Sequence, residues 1–168
     1  MKIAVLGAGA MGSLYGAKLS RTQDVTMVDV NETLIDHINQ NGIVVQEADG
    51  TEETYTLKAV KSGTGIGVQD LVIVFVKGIF TKDTIRQNLS MIGSNTLVMT
   101  LQNGAGNNRD IAKFVEWARI DGGGSKIVEI SAISGSFDLL REIKVLLLNP
   151  GVAQAMAEQW GGDIREES

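Results

Sequence analysis

The chain of 168 residues lacks cysteine altogether and contains a single histidine and a single proline. The absence of cysteine excludes disulfide bonds, thiolate metal sites and cysteine nucleophiles. Apolar runs are short as well: the longest, Leu71–Val76, has the length of a strand, far below the roughly 18 residues of a membrane-spanning helix. The apolar stretch at the start is too short for a signal peptide. We therefore expect a soluble, cytoplasmic protein without a membrane partner.

Basic side chains are also scarce, since 15 lysines and arginines stand against 20 aspartates and glutamates, for a formal net charge of −5. Such a balance offers no basic surface to a phosphate backbone, so nucleic acid is not an expected partner. The serines at 131, 134 and 136 lack a histidine base, which argues against a serine hydrolase. No cluster of histidine and carboxylate residues has metal-ligand spacing, so no metal is expected.

Short apolar runs alternate with helical patterns from the first residues onward. Ile3–Leu6 reads as a strand covered on both faces, and Val25–Val28 as a second one. Between and after them apolar residues recur at helical spacing, with Asn31 as the N-cap of the second helix and Gly42 as its end. This alternation predicts an α/β fold with a Rossmann-like, doubly wound parallel sheet.

The later part of the chain continues in the same way. The predicted elements are a hairpin turning at Asp49–Gly50 within Ile43–Lys58, strands at Leu71–Val76, Thr96–Leu101 and Lys126–Ile130, and helices at Thr81–Leu89, around Ile111, Phe114 and Val115, and at Phe137–Leu148. We assign residues 1–148 to one dinucleotide-binding domain and residues 149–168 to a short tail or the start of a linker.

The glycine loop Gly7-Ala8-Gly9-Ala10-Met11-Gly12 carries the first functional signal. It matches Gly-x-Gly-x-x-Gly between a strand and a helix, the context in which this pattern binds a dinucleotide. Gly7 would make the tight turn, Gly9 would let the backbone approach the pyrophosphate, and Gly12 would allow the helix to pack closely on the sheet. The alternative is a tight turn that binds nothing.

Asp29 lies at the end of the second strand. Its distance along the sequence from the glycine loop is about that of the acidic residue that binds the adenosine ribose hydroxyls in dinucleotide-binding folds. An acid there repels a 2′-phosphate and favours NAD over NADP. The alternative is a solvated aspartate at the end of a strand.

Two further motifs, Val76-Lys77-Gly78 and Leu101-Gln102-Asn103-Gly104-Ala105-Gly106-Asn107, complete a pattern that, with the glycine loop, resembles the ketopantoate reductase (2-dehydropantoate 2-reductase) family. The resemblance extends from Met1 to about Asn108. It implies hydride transfer from a nicotinamide cofactor, usually NADPH, to a 2-oxo acid substrate. In the family this substrate is 2-dehydropantoate, which is reduced to pantoate in pantothenate biosynthesis.

Carried over to this chain, the resemblance places Gly7 through Gly12 at the pyrophosphate and Lys77 on the adenosine side of the cofactor. It places Asn103 near the nicotinamide ribose and the substrate, and an amide can both donate to and accept from such groups. Lys77 could equally be a solvent lysine at the end of a strand, and Asn103 a turn residue before a glycine.

The sequence departs from the family in two respects. Asp29-Val30-Asn31 stands where the family has a basic residue for the 2′-phosphate. The resemblance therefore implies NADP as the cofactor, whereas Asp29 favours NAD. We also expect the helical C-terminal domain, which in the family holds the general-acid lysine, to be missing from this chain. The catalytic residues are therefore unknown: neither Lys126 nor Lys144 has a matching context, and His37 reads as a helix-surface residue.

The sequence predicts the cofactor-binding part of an NAD(P)-dependent oxidoreductase that is inactive by itself. A dinucleotide-sensing module without catalysis, or another hydroxy-acid dehydrogenase of the Gly-x-Gly-x-Met-Gly type, remain the alternatives. A homodimer is also possible, through an apolar face that carries Phe137, Leu139, Leu140, Val145 and Leu146.

Overall fold

The computed structural model describes residues 1–93, 95–100, 102 and 111, together with the backbone of strand 126–129. The strands are β1 (Lys2–Leu6), β2 (Asp24–Val28), β3 (Ile43–Gln46), β4 (Glu52–Tyr55), β5 (Lys58–Val60), β6 (Leu71–Val74), β7 (Leu97–Thr100) and β8 (Lys126–Glu129). The α-helices are α1 (Ala10–Ser20), α2 (Glu32–Asn41) and α3 (Thr81–Gln87), with 3₁₀ turns at Gly78–Phe80 and Leu89–Met91.

Six of these strands form one parallel sheet in the order β5-β2-β1-β6-β7-β8. Taken in sequence order within the sheet, this is the 3-2-1-4-5-6 arrangement of a doubly wound dinucleotide-binding fold. The fold class predicted from the strand and helix alternation is confirmed. No helix in the described part of the chain is both long and apolar enough to cross a membrane.

The core lies on both faces of this sheet because successive side chains of a strand point in opposite directions. Ile3 and Val5 belong to a cluster that includes residues of α1, α2 and the β3–β4 hairpin. Ala4 and Leu6 belong to a second cluster, which includes Ile85 of α3. All four are fully buried, as the uninterrupted apolar run predicted.

Helix α2 begins and ends where its sequence predicted. The Asn31 side chain accepts a hydrogen bond from the Leu34 amide at 3.2 Å, which is an N-cap contact. Gly42 follows the helix with φ +75°, a conformation that glycine adopts without strain. His37 is exposed on this helix, as predicted.

The hairpin is also confirmed, with β3 and β4 paired antiparallel and Gly50 in the turn at φ +85°. Strand β5, by contrast, was not predicted. It has only three residues, Lys58–Val60, and pairs in parallel with β2 at the edge of the sheet. The Asn39 side chain on α2 bonds both the N–H and the C=O of Ala59 at 2.9 Å, and so fixes this short strand.

Several predicted elements are longer than the observed ones. The strand predicted to reach Val76 ends at Val74, and the helix predicted to reach Leu89 ends at Gln87 and is followed by a 3₁₀ turn. The next predicted strand begins at Leu97 instead of Thr96, and the last predicted strand is observed over Lys126–Glu129; the predicted ends at residues 101 and 130 lie outside the described residues. Of the helix predicted around residues 111–115 only Ile111, which is buried, is described. The helix and apolar face predicted after residue 136, and the domain boundary at residue 148, lie outside the described residues.

Candidate functional site

The carboxyl ends of the parallel strands lie along one edge of the sheet, and most of the predicted site residues follow them directly. The glycine loop follows β1, Asp29 follows β2, and Lys77 comes three residues after β6. In open α/β sheets this edge is where ligands bind. Asn103 lies outside the described residues, but Gln102, which precedes it, is described and follows β7.

The glycine loop turns sharply at Gly7. This residue has φ +100°, and its N–H donates to the Val28 carbonyl at 2.8 Å. A Cβ at Gly7 would lie 3.0 Å from the Val76 nitrogen, so the loop passes close to the chain that leaves β6. Glycine is therefore required here for its conformation and for the close approach.

The start of α1 is open to an anion. Its N-cap residue is Gly9, so no side chain caps the first amide groups, and no acidic residue lies in the first turn. A Cβ added at Gly9 would meet no atom within 4 Å. The first N–H groups of a helix have no partners within the helix, and the helix dipole places partial positive charge there. The space at Gly9 and the uncapped amides together fit a phosphate group.

Asp29 holds the glycine loop in place. One carboxylate oxygen accepts a hydrogen bond from the Ala8 amide at 2.7 Å, and the other accepts one from the Asn31 amide at 2.9 Å. The Ala8 carbonyl in turn accepts from the Ser13 hydroxyl at 2.9 Å. The peptide groups on both sides of Ala8 are thus fixed, and Asp29 is not simply a solvated residue at the end of a strand.

Lys77 is exposed beside the same edge and lies immediately before the 3₁₀ turn Gly78–Phe80. Its carbonyl accepts from the Phe80 amide at 2.8 Å. Ile79 and Phe80 are also exposed, with 81% and 53% of their surfaces accessible. Lys77 is thus exposed near the edge at which ligands bind in open α/β sheets.

Gln102, which precedes Asn103, makes contacts that the sequence did not reveal, although it belongs to the motif that carried the resemblance. Its side-chain nitrogen donates to the Val76 carbonyl and, at 2.7 Å, to the Thr81 hydroxyl. Its side-chain oxygen accepts from the Thr100 hydroxyl at 2.9 Å. Because Lys77 directly follows Val76, this amide ties the end of β7 to the backbone beside Lys77. Val76 lies just beyond β6 and Thr81 begins α3, both more than twenty residues away along the chain, so no local spacing could have identified them.

Replacing Gln102 with glutamate is expected to destabilise the domain by about 2 kcal/mol at pH 8, because a carboxylate cannot donate to Val76 and Thr81. Acceptors around the new carboxyl would raise its pKa in the folded protein above the ordinary value of about 4.3. A raised pKa means that the folded state binds more protons, so the deficit should shrink as the pH falls toward 5. Melting temperatures of the variant and the parent at both pH values measure this.

The control for that variant is Gln102→Leu, which cannot titrate and should lose similar stability at both pH values. Equal deficits for Gln102→Glu at pH 8 and pH 5 would contradict the donor role of the amide.

The described residues offer no other obvious centre of chemistry. They contain no group of three or more histidine, cysteine, aspartate or glutamate residues that could hold a metal ion. The β3–β4 hairpin forms two ion pairs with this part of the chain, Glu47 with Lys18 of α1 and Glu53 with Arg21, which directly follows α1. Tyr55 donates to Glu53 at 2.6 Å, and this bond is the main cause that lowers the pKa of Glu53. These contacts attach the hairpin to the fold.

The sheet order, the glycine loop at the start of α1 and Asp29 at the end of β2 define a Rossmann-type domain. The family model for ketopantoate reductase PanE/ApbA matches residues 3–138. The chain therefore belongs to the ketopantoate reductase family, and the match extends beyond the part that the motifs covered.

Individual relatives agree with this assignment. The 2-dehydropantoate 2-reductase of Streptococcus pyogenes serotype M3 is 33% identical over 116 residues, which are 68% of this chain and 37% of that protein. The solved structure of 2-dehydropantoate 2-reductase from Geobacter metallireducens is 28% identical, with a TM-score of 0.62 over 81% of this chain and 44% of that one. D-mandelate dehydrogenase with NADH and anilino(oxo)acetate is 29% identical, with a TM-score of 0.64 over 77% and 40%. The chain thus spans less than half the length of these relatives.

Proposed function

We propose that the chain binds a nicotinamide dinucleotide at the carboxyl edge of its sheet and forms the cofactor-binding part of an oxidoreductase that reduces a 2-oxo acid. The observation that carries this proposal is the uncapped start of α1 beside the open space at Gly9. The substrate we propose is 2-dehydropantoate, the compound in the names of the curated relatives. The reaction products would then be pantoate and the oxidised cofactor.

Each site residue has a part in this proposal. The first amides of α1 orient the pyrophosphate, and Gly9 gives it room. Asp29 accepts a hydrogen bond from the adenosine ribose while it holds the Ala8 amide. Lys77 lies on the adenosine side, and Asn103 holds the nicotinamide ribose and the substrate. The bound cofactor supplies the hydride, and the proton donor for the carbonyl oxygen is a residue that we do not identify.

A second candidate is a dehydrogenase for another hydroxy acid. It is favoured by the similarity to D-mandelate dehydrogenase, whose solved structure includes NADH and anilino(oxo)acetate. The acid Asp29 followed by Val30 and Asn31 also suits NADH better than NADPH. A version with the full length of the relatives, assayed with 2-dehydropantoate and with the 2-oxo acid of mandelate, separates the two candidates.

The direct test of cofactor binding is calorimetric titration of the purified chain with NADH and with NADPH. Both should bind, and NADH should bind more tightly because Asp29 repels a 2′-phosphate. A stronger affinity for NADPH would keep the dinucleotide site and overturn the preference assigned to Asp29. Failure of both to bind would overturn the proposal.

Gly9 allows a test of the site that leaves the fold intact. Gly9→Val is expected to weaken NADH binding about 100-fold, or about 2.7 kcal/mol, since the new side chain fills the space over the start of α1. The melting temperature should change little, because a Cβ at this position meets nothing within 4 Å. Titration and thermal unfolding of the same samples give both results.

Gly9→Ala serves as the graded control, with a smaller loss of affinity because it fills less of the space. If Gly9→Val binds NADH as tightly as the parent does, the dinucleotide does not lie over Gly9.

A further inference from the structure

Strand β5 brings a lysine next to Asp29 that sequence spacing does not connect with it. β5 pairs in parallel with β2, with Val60 opposite Val28, and the Asp29 amide donates to the Val60 carbonyl at 3.1 Å. Lys61 follows Val60 directly. Both Asp29 and Lys61 therefore leave neighbouring strands at the same edge of the sheet.

Lys61 forms an ion pair with Glu32, the first residue of α2. Glu32 in turn lies three residues after Asp29. The hydrogen bond from the Lys61 ammonium, together with its charge, lowers the pKa of Glu32 below its ordinary value. Glu32 is thus ionised at neutral pH and partners the cation that β5 brings to this edge.

The pair is unlike a structural ion pair because it is open to solvent. The side chains of Lys61 and Glu32 are 66% and 70% exposed. Exposed pairs of this kind contribute little to the stability of a fold. The Lys61 ammonium can therefore exchange its partner for another anion at little cost.

If the cofactor binds as proposed, the charges at this edge lie beside its adenosine ribose. Two carboxylates, Asp29 and Glu32, accompany the Lys61 ammonium, which leaves the group net negative. NADPH differs from NADH by a 2′-phosphate, which carries about −1.5 to −2 charges near neutral pH. A basic side chain near the end of β2 is the usual means of accommodating that phosphate.

We infer that the Glu32–Lys61 pair is a specificity element that, together with Asp29, discriminates against NADPH. Glu32 holds the ammonium of Lys61 and adds a second negative charge beside the ribose. Lys61 is the residue that would meet a 2′-phosphate once Glu32 no longer engages it. This inference rests on the proposed dinucleotide site, and it assigns the discrimination to two residues in addition to Asp29.

The test compares the NADH and NADPH affinities of the full chain and its variants by calorimetry at fixed salt. Glu32→Gln should raise the affinity for NADPH about 10-fold and change the affinity for NADH less than about twofold. Lys61→Gln introduced into that variant should cancel the gain. The gain should also shrink at high salt, because the contact with the phosphate is exposed.

Asp36→Asn is the matched control. Asp36 is exposed one turn further along α2, and the substitution changes the net charge by the same amount. A gain in NADPH affinity no larger than that of Asp36→Asn, or a gain that survives Lys61→Gln, would overturn the inference. Binding of NADH by the parent chain combined with an unchanged preference in Glu32→Gln would overturn this inference alone. Failure of the parent to bind either dinucleotide would overturn the proposed function with it.

Discussion

Gly12→Ala is expected to destabilise the domain by about 3 kcal/mol or more and to abolish detectable NADH binding. A Cβ at this position would lie 1.9 Å from the Gly7 carbonyl oxygen and 3.0 Å from its carbonyl carbon. Both atoms belong to the backbone, so no side chain can rotate away to relieve the overlap. Either α1 moves away from the sheet or the turn at Gly7 opens, and both changes remove the amides from the place where a pyrophosphate would bind.

Thermal unfolding measures the first effect. For a chain of this length a loss of 3 kcal/mol corresponds to a fall of roughly 6–12 °C in melting temperature. Gly9→Ala is the matched control, since it makes the same substitution in the same loop at a position with free space around the new Cβ. A Gly12→Ala protein that melts as the parent does would mean that the helix packs less closely on β1 than the structure shows.

The glycine loop could be predicted from the sequence because its determinants are local. A buried strand, three glycines at fixed spacing and a helix all lie within twenty residues, and Gly7 and Gly12 each have a separate steric reason to be there. Asn31 and Gly42 could be predicted for the same reason, since a helix cap depends on a few neighbouring residues. What the sequence could not show is that Asp29 bonds the Ala8 amide directly.

The contacts that the sequence did not predict are those between residues far apart along the chain. Lys58–Val60 carries too few residues for a periodic signal, and it is a strand because β2 and Asn39 bond it. The position of Lys61 beside Asp29 depends entirely on that pairing. Gln102 is likewise defined by partners at Val76 and Thr81, which lie more than twenty residues away. The spacing of residues along the chain does not predict which distant segments become neighbours in the fold.

The other large effect is expected at Asp29. Asp29→Ala should lower the stability of the domain by about 2 kcal/mol, because two backbone amides lose an ionised acceptor. It should also weaken NADH binding by about 50-fold or more, since the ribose loses its acceptor and the Ala8 peptide loses its anchor. The losses arise together because one carboxylate performs both tasks, through the bond to Ala8 at 2.7 Å and the proposed contact with the cofactor.

Asp29→Asn separates the two tasks. The amide keeps one acceptor oxygen, so Asp29→Asn should lose only about half of the roughly 2 kcal/mol that Asp29→Ala loses. The loss of charge also removes the repulsion of a 2′-phosphate. We therefore expect the ratio of NADPH to NADH affinity to rise in Asp29→Asn, measured by the same titrations. Asp24→Ala, at the exposed amino end of the same strand, is the control and should leave both affinities unchanged. An Asp29→Asn protein with full stability and an unchanged preference would show that neither the loop nor the ribose depends on this carboxylate.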